Sequence, residues 1–168
     1  MTTLVAARAA TGADGPEVAR LQERLRSELV DQKGGAALLE TLVPLDAGRT
    51  VTWIGVIGDV PVGLAVAGIV VPGHSIDLPG DSIDLPGDSI DLPGGSAARA
   101  VLETIYVEPE ARAVGVGSSL MRAVRSWAIG RGAAAIDATV LPGDRASKNF
   151  FERHGLVARA ITVRTPLR

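Results

Sequence analysis

The chain has 168 residues, 46% hydrophobic but only 3% aromatic, so it is long enough for one domain whose core must be built from Val, Leu, Ile and Ala. Cysteine is absent, which excludes disulfides, thiolate metal sites and a thiol nucleophile, and the formal net charge of −2 argues against general nucleic-acid binding. No charged segment leads into an apolar one at the start, and the longest apolar stretch, Gly63 to Val71, is far too short to span a bilayer, so a cytoplasmic protein without membrane association is expected.

Leu4 to Arg8 reads as a first strand. Thr11 or Asp14 can cap a helix with Pro16 in its first turn, and Val18, Leu21, Leu25 and Leu29 keep one face of that helix apolar. Gly34-Gly35 interrupts, and Ala36 to Leu42 is suited to a second helix. Thr50 to Ile57 and Val60 to Val71 then read as two strands around a tight turn at Gly58-Asp59.

A tandem repeat follows. Ser75-Ile76-Asp77-Leu78-Pro79-Gly80-Asp81 recurs at Ser82 to Asp88, and again from Ser89 to Gly94 with Gly95 in place of the final Asp. Each Leu-Pro-Gly suits a type II turn, with Pro at the second position and Gly at the third. The units are too short to bury a face of their own, so a solenoid is disfavoured. Asp77, Asp84 and Asp91 as calcium ligands would each be isolated by a proline turn. The remaining reading is an insertion loop, residues 75–95, joining the third and fourth strands.

The second half is richer in signals. Val101 to Val107 is strand-like and ends at Glu108-Pro109. Then comes Arg112-Ala113-Val114-Gly115-Val116-Gly117-Ser118-Ser119, a glycine loop opening a helix whose apolar face is Leu120, Val124, Trp127 and Ala128. Such a loop presents backbone N–H groups and a helix dipole to an anion. The spacing fits neither G-x-G-x-x-G nor the P-loop; what it fits is R-x-x-G-x-G. Gly130 and Gly132 mark the helix end, and Ala135 to Leu141 reads as a short buried strand. After Pro142-Gly143, Asp144 can cap a last helix containing Asn149-Phe150-Phe151-Glu152-Arg153-His154-Gly155-Leu156. Leu156 to Thr165 would form a final strand, stopped by Pro166.

Four of these elements in order, over residues 99 to 157, resemble the GNAT superfamily of N-acetyltransferases: the strand with its acidic-proline turn, the R-x-x-G-x-G loop, the next strand, and the helix with an aromatic pair before glycine and an apolar residue. The resemblance implies an α/β (α+β) fold, a GNAT-like mixed central sheet flanked by helices, in a single domain over residues 1–168. It implies acetyl-CoA as acyl donor and no metal. The backbone of Ile105, Tyr106 and Val107 would pair with the pantetheine arm. The loop Arg112, Ala113, Val114, Gly115, Val116, Gly117 and Ser118, with the Ser119 hydroxyl, would hold the pyrophosphate. Val114 stands where family members often carry a second basic residue, so phosphate binding would lean on backbone amides, Arg112 and Lys148; Lys148 is otherwise an ordinary solvated helix residue.

The resemblance implies an amine attacking a thioester, a reaction that needs a neutral amine, fixed donors for the oxyanion and a route out for the thiolate. Glu103 is the best general-base candidate, against a plain exposed strand carboxylate, and Asp137 on the next strand is a weaker one. His74 and His154 read as surface or capping residues. The family's usual tyrosine acid, four residues before the final glycine, falls on Phe151, which would line the cofactor site but has no proton to give. Tyr106, the only tyrosine, sits where an aromatic packs. The family's CoA-contacting asparagine appears as Asp144, better read as a cap. The function so implied is transfer of an acetyl group from acetyl-CoA to a primary amine of a small molecule. The alternatives are acetylation of a protein N-terminus or lysine, and an acyl-CoA-binding regulatory module without turnover, which Phe151 supports. An open sheet edge near the C-terminus points to a homodimer.

Overall fold

The computed structural model describes residues 4–32, 50–71 and 98–159. Within them five strands form one sheet in chain order: β1 (Val5–Ala9), β2 (Thr50–Ile57), β3 (Val60–Val70), β4 (Arg99–Val107) and β5 (Ala135–Ala138). The first four pair antiparallel, and β5 joins β4 in parallel. A parallel neighbour requires a crossover, and helix α2 (Val116–Gly130) supplies it. Helix α1 (Gly15–Val30) lies between β1 and β2 in sequence, and α3 (Arg145–Arg153) follows β5. This is the mixed α/β arrangement the sequence predicts. The expected helix at 36–42, the repeats at 75–95 and the end of the expected last strand lie outside the described residues; 156–159 carry no strand.

Each described helix begins where the sequence places a local signal. Before α1, the Asp14 carboxylate accepts bonds from the Thr11 N–H (2.7 Å) and hydroxyl (2.8 Å) and a two-pronged bond from Arg8 (2.8 and 2.7 Å). Arg8 first, then Thr11, holds this carboxyl well below the usual range. Pro16 fits the first turn, where a missing N–H costs nothing. Asp144 caps α3 by accepting from the Ser147 N–H at 2.9 Å.

The sheet is covered on both faces. On one, Val116, Leu120, Met121 and Val124 of α2 are buried against Trp53, Ala65, Ala67 and Leu102, with Phe151 of α3 completing the cluster. Trp127 meets Trp53 edge-on at 5.3 Å between ring centroids. The other face is thinner: Leu21 of α1 packs on Leu64 and Tyr106, flanked by Leu25 and Val66. With few aromatics, the core depends on close approach of backbone. At Gly55 of β2 a Cβ would stand 2.6 Å from Val116 Cγ1, so glycine here lets α2 settle on the sheet.

Candidate active site at the splayed fourth strand

The site grows from an irregularity in β4. Val66 pairs with Thr104, but the next residue, Ala67, pairs with Leu102. Glu103 is therefore the extra residue of a β-bulge. The bulge changes which face later residues occupy. Leu102 and Tyr106 are four apart and would share a face in a regular strand. Instead Leu102 lies in the α2-side core and Tyr106 in the α1-side core, while Ile105 and Val107 join Leu102.

The same bulge ends the parallel pairing. β5 follows β4 only from Arg99–Ala135 to Leu102–Ala138. Five residues of β4, Glu103 to Val107, then continue without β5, which is why β5 stops short of the predicted Leu141. The direction of the free peptide groups follows from parity. The Glu108 N–H bonds the Val62 carbonyl at 2.9 Å, so Tyr106 and Thr104 also direct their peptide groups at β3. Those of Ile105 and Val107 face the gap. An extended, amide-bearing ligand arm can pair there as a strand would.

Glu103 stands at the start of this gap. It is half-buried, and none of the described arginines or lysines forms an ion pair with it. Burial alone pushes its carboxyl up to about 7. Asp137, the other candidate, is instead 3.4 Å from Arg99 and does not line the gap.

After β4, Pro109–Ala111 makes one 3-10 turn, and Ala113 (φ 64°) and Gly115 (φ 104°) carry the chain through left-handed conformations into α2. Such values are uncommon for a residue with a Cβ. Ser119 N–H bonds the Gly115 carbonyl at 3.0 Å, the first bond of the helix. The N–H groups of Val116, Gly117 and Ser118 precede it and have no helical acceptor. Arg112 does not turn toward them. Its Nη2 lies 2.7 Å from both carboxylate oxygens of Glu28 on α1, its Nε donates to the Val107 carbonyl at 2.8 Å, and its guanidinium lies 5.9 Å over the Tyr106 ring.

These elements enclose a cavity of about 870 Å³ between α1, β4, the first turn of α2 and α3. Glu103, Ile105, Tyr106 and Val107 line it from the strand, and Arg112, Ala113, Gly115, Gly117 and Ser118 from the loop. Phe151 lines it too, although its ring is buried in the core. The side chains of four expected site residues do not line it. Val116 is in the core, Ser119 is buried with its hydroxyl accepting from Arg122 at 3.0 Å, Val114 is exposed, and Lys148 pairs with Glu152 at 2.7 Å on the outer face of α3. Glu28, Phe150 and His154 are among the further residues that line the cavity. A Cβ on Gly117 would meet the Phe150 ring at 3.1 Å, which explains the second glycine of the loop. His154 caps the end of α3, as expected, but its Nε2 lies 3.3 Å from the Ser118 hydroxyl. The aromatic-pair spacing to Gly155 contains the signal for this residue; the contact depends on how α3 packs beside α2.

Among the described residues no cluster of three His, Asp or Glu could hold a metal ion, and no helix is long and apolar enough to cross a membrane.

Residues 18–156 match the sequence model of the acetyltransferase (GNAT) family. Among solved structures, aminoglycoside N-acetyltransferase AAC(6')-Iy in complex with CoA aligns with a TM-score of 0.68 at 20% identity, over 100% of this chain and 97% of that one. The same enzyme with the bisubstrate analog CoA-S-monomethyl-acetylneamine gives 0.63 at 20% identity, over 98% and 100%. The BH1408 protein from Bacillus halodurans, as a tetramutant, gives 0.70 at 18%, over 96% and 99%. No curated protein matches the chain in sequence. At these identities the structural likeness is one of fold.

Proposed function

The chain belongs to the GNAT family of acetyl-CoA-dependent acetyltransferases, and from that premise we propose that it moves an acetyl group from acetyl-CoA to a primary amine on a small molecule, by direct attack of the amine on the thioester. The observation that carries this reading is Glu103: a half-buried carboxylate without an ion-pair partner among the described residues, at the bulge where β4 opens its backbone. An alkyl amine reaches the site as an ammonium with pKa ~10.4. Glu103, pushed up to about 7, is a stronger base than an ordinary carboxylate and takes that proton directly or through one water. The freed nitrogen attacks the thioester carbon; the C–N bond forms, the C–S bond breaks and the electron pair leaves on sulfur. A backbone N–H of the Ile105–Val107 edge would face the oxyanion.

The residues fit the donor. The open edge of β4 suits the amide-bearing pantetheine arm, and the N–H groups of Val116, Gly117 and Ser118, unpaired among the described residues, suit a pyrophosphate. Holding the arm in line with Glu103 supplies the larger part of the acceleration, since positioning can contribute roughly 7–11 kcal/mol. Phe151 supplies no acid. A thiol with pKa ~8.5 leaves tolerably as thiolate, so Phe151 is compatible with turnover. A cavity of about 870 Å³ and the likeness to an aminoglycoside acetyltransferase support a small-molecule acceptor. Phe151 is also the one observation that favours the second reading, binding of acyl-CoA without turnover.

The test is acetyl-CoA-dependent thiol release across a panel of small amines, with mass spectrometry of the products. Release with an acetylated amine supports the proposal. Thermal stabilisation by acetyl-CoA with no release above background would support the binding module instead. Light scattering on the same sample checks the expected homodimer.

A further inference from the structure

Arg153 lines the cavity, and Arg122 and Arg125 stand on α2 next to its lining residues Ser118 and His154; none of the three has a role in the reading above. Ser118, Arg122 and Arg125 are spaced four and three apart, so they share one face of α2. That face lies beside the end of α3, where Arg153 and His154 line the cavity. Arg122 donates to the Ser119 hydroxyl, Arg125 to the His154 carbonyl and Arg153 to the Asn149 carbonyl. All three acceptors are neutral. None of the three arginines pairs with a carboxylate among the described residues, whereas Arg8, Arg20, Arg24, Arg26, Arg99 and Arg112 do. All three are exposed. The loop arginine, Arg112, is meanwhile committed to Glu28 and Val107. Among the described residues, the cationic charge beside the cavity that no carboxylate neutralises therefore sits at the α2–α3 corner and not at Arg112.

We propose that Arg122, Arg125 and Arg153, gathered around the Ser118–His154 contact, form a phosphomonoester subsite that takes the 3′-phosphate of coenzyme A and makes the protein select acetyl-CoA over acyl donors lacking it. Guanidinium groups suit this task, because their forked donors match phosphate oxygens. The placement also fits. The pyrophosphate belongs with the first-turn N–H groups up to Ser118, and Arg122 and Arg125 lie roughly 6 to 10 Å further along the helix. The 3′-phosphate is held away from the pyrophosphate across the ribose, so two anion sites at about that separation are what the cofactor requires. His154 registers the local field: burial first, then Arg125, Arg153 and Arg122, lowers its pKa, so it stands neutral as a partner for Ser118 while the arginines carry the charge.

This inference rests on the acetyl-CoA reading, and one set of titrations separates the two. The probes are acetyl-CoA, 3′-dephospho-acetyl-CoA and acetyl-pantetheine, measured by calorimetry and by kcat/KM on the full chain. Wild type is expected to bind acetyl-CoA about 10- to 100-fold more tightly than the dephospho form, as charge-assisted bonds to one phosphate provide. That ratio should shrink as salt rises, because the arginines are exposed. The triple variant Arg122→Ala, Arg125→Ala, Arg153→Ala should bind both alike, at the wild-type affinity for the dephospho form. Equal wild-type affinity for the two donors, both still better than acetyl-pantetheine, overturns the subsite and leaves the acetyltransferase reading intact. So does a folded triple variant that still discriminates. Failure of wild type to bind any of the three overturns both. Should the triple variant not fold, the wild-type ratio and its salt dependence decide.

Discussion

At the scale of single residues, Glu103 links stability to activity. Its folded-state pKa of about 7 lies above the ordinary 4.5, so the folded chain binds this proton more tightly than the unfolded one. The stability it contributes is therefore fully present below about 4.5 and is lost as pH rises through about 7. Glu103→Gln removes that loss. Thermal melts should show the variant level with wild type at pH 4 and more stable at pH 8; a gain of about 1–2 kcal/mol corresponds to roughly 2–8 °C. The same substitution should lower kcat by about 10²–10⁴, the usual worth of a general base. Wild-type kcat/KM should climb with pH and level off above about 7. A variant with full activity and an unchanged profile would assign the base to another group. Phe151 makes the opposite case, a residue whose chemistry is absent. Because the thiolate leaves unaided, Phe151→Tyr should change kcat by less than about threefold. A rise above tenfold in stopped-flow turnover would show that protonation of sulfur limits the reaction.

Among the elements, the close contact between α2 and β2 sets where the loop sits. Gly55→Ala places a Cβ 2.6 Å from Val116 Cγ1 and 3.2 Å from Leu120. Overpacking of this kind costs about 1–3 kcal/mol, or roughly 2–12 °C in Tm. Since Val116 begins α2, acetyl-CoA affinity should fall along with Tm; calorimetry on the folded variant measures it, and unchanged affinity would mean that the loop does not depend on helix seating. The elements themselves were legible in the sequence. Two apolar-rich runs around the Gly58-Asp59 turn mark β2 and β3, Pro16 and Asp144 mark helix starts, and Gly130 with Gly132 marks the end of α2. The bulge was not legible. It arises from register between Val66–Ala67 and Leu102–Thr104, a relation between two strands that neither strand encodes alone. Glu103 could be picked out by its place before Ile105, but its burial could not. The first turn of α2 was readable from Gly115 and Gly117 because glycine spacing is local. The Arg112–Glu28 pair, between residues 84 positions apart, was beyond reach.

Over the whole molecule, that pair ties α1, before the sheet's centre, to the loop after it. Arg112 holds the Val107 carbonyl that the pantetheine arm would use and fastens the loop to Glu28. On the proposed binding mode, the pantetheine arm would compete for that carbonyl and the phosphates for the same guanidinium. The latch therefore opposes donor binding while it braces the unliganded fold. Glu28→Gln weakens one side of the contest without touching the loop. The pair is partly exposed, so its worth is about 0.2–1 kcal/mol. Acetyl-CoA should bind up to about fivefold more tightly to the variant, and the ligand-free Tm should drop by no more than roughly 4 °C. At one fixed donor concentration, near a hundred times the wild-type Kd, linkage adds about 2.7 kcal/mol to wild type and up to about 1 kcal/mol more to the tighter-binding variant, which offsets the lost pair in liganded melts. The two melts should thus differ without donor and converge with it. Weaker binding by Glu28→Gln in calorimetry would reverse the assignment: Glu28 would then be holding Arg112 ready for the phosphates, and the α1–loop tie would be part of the binding site.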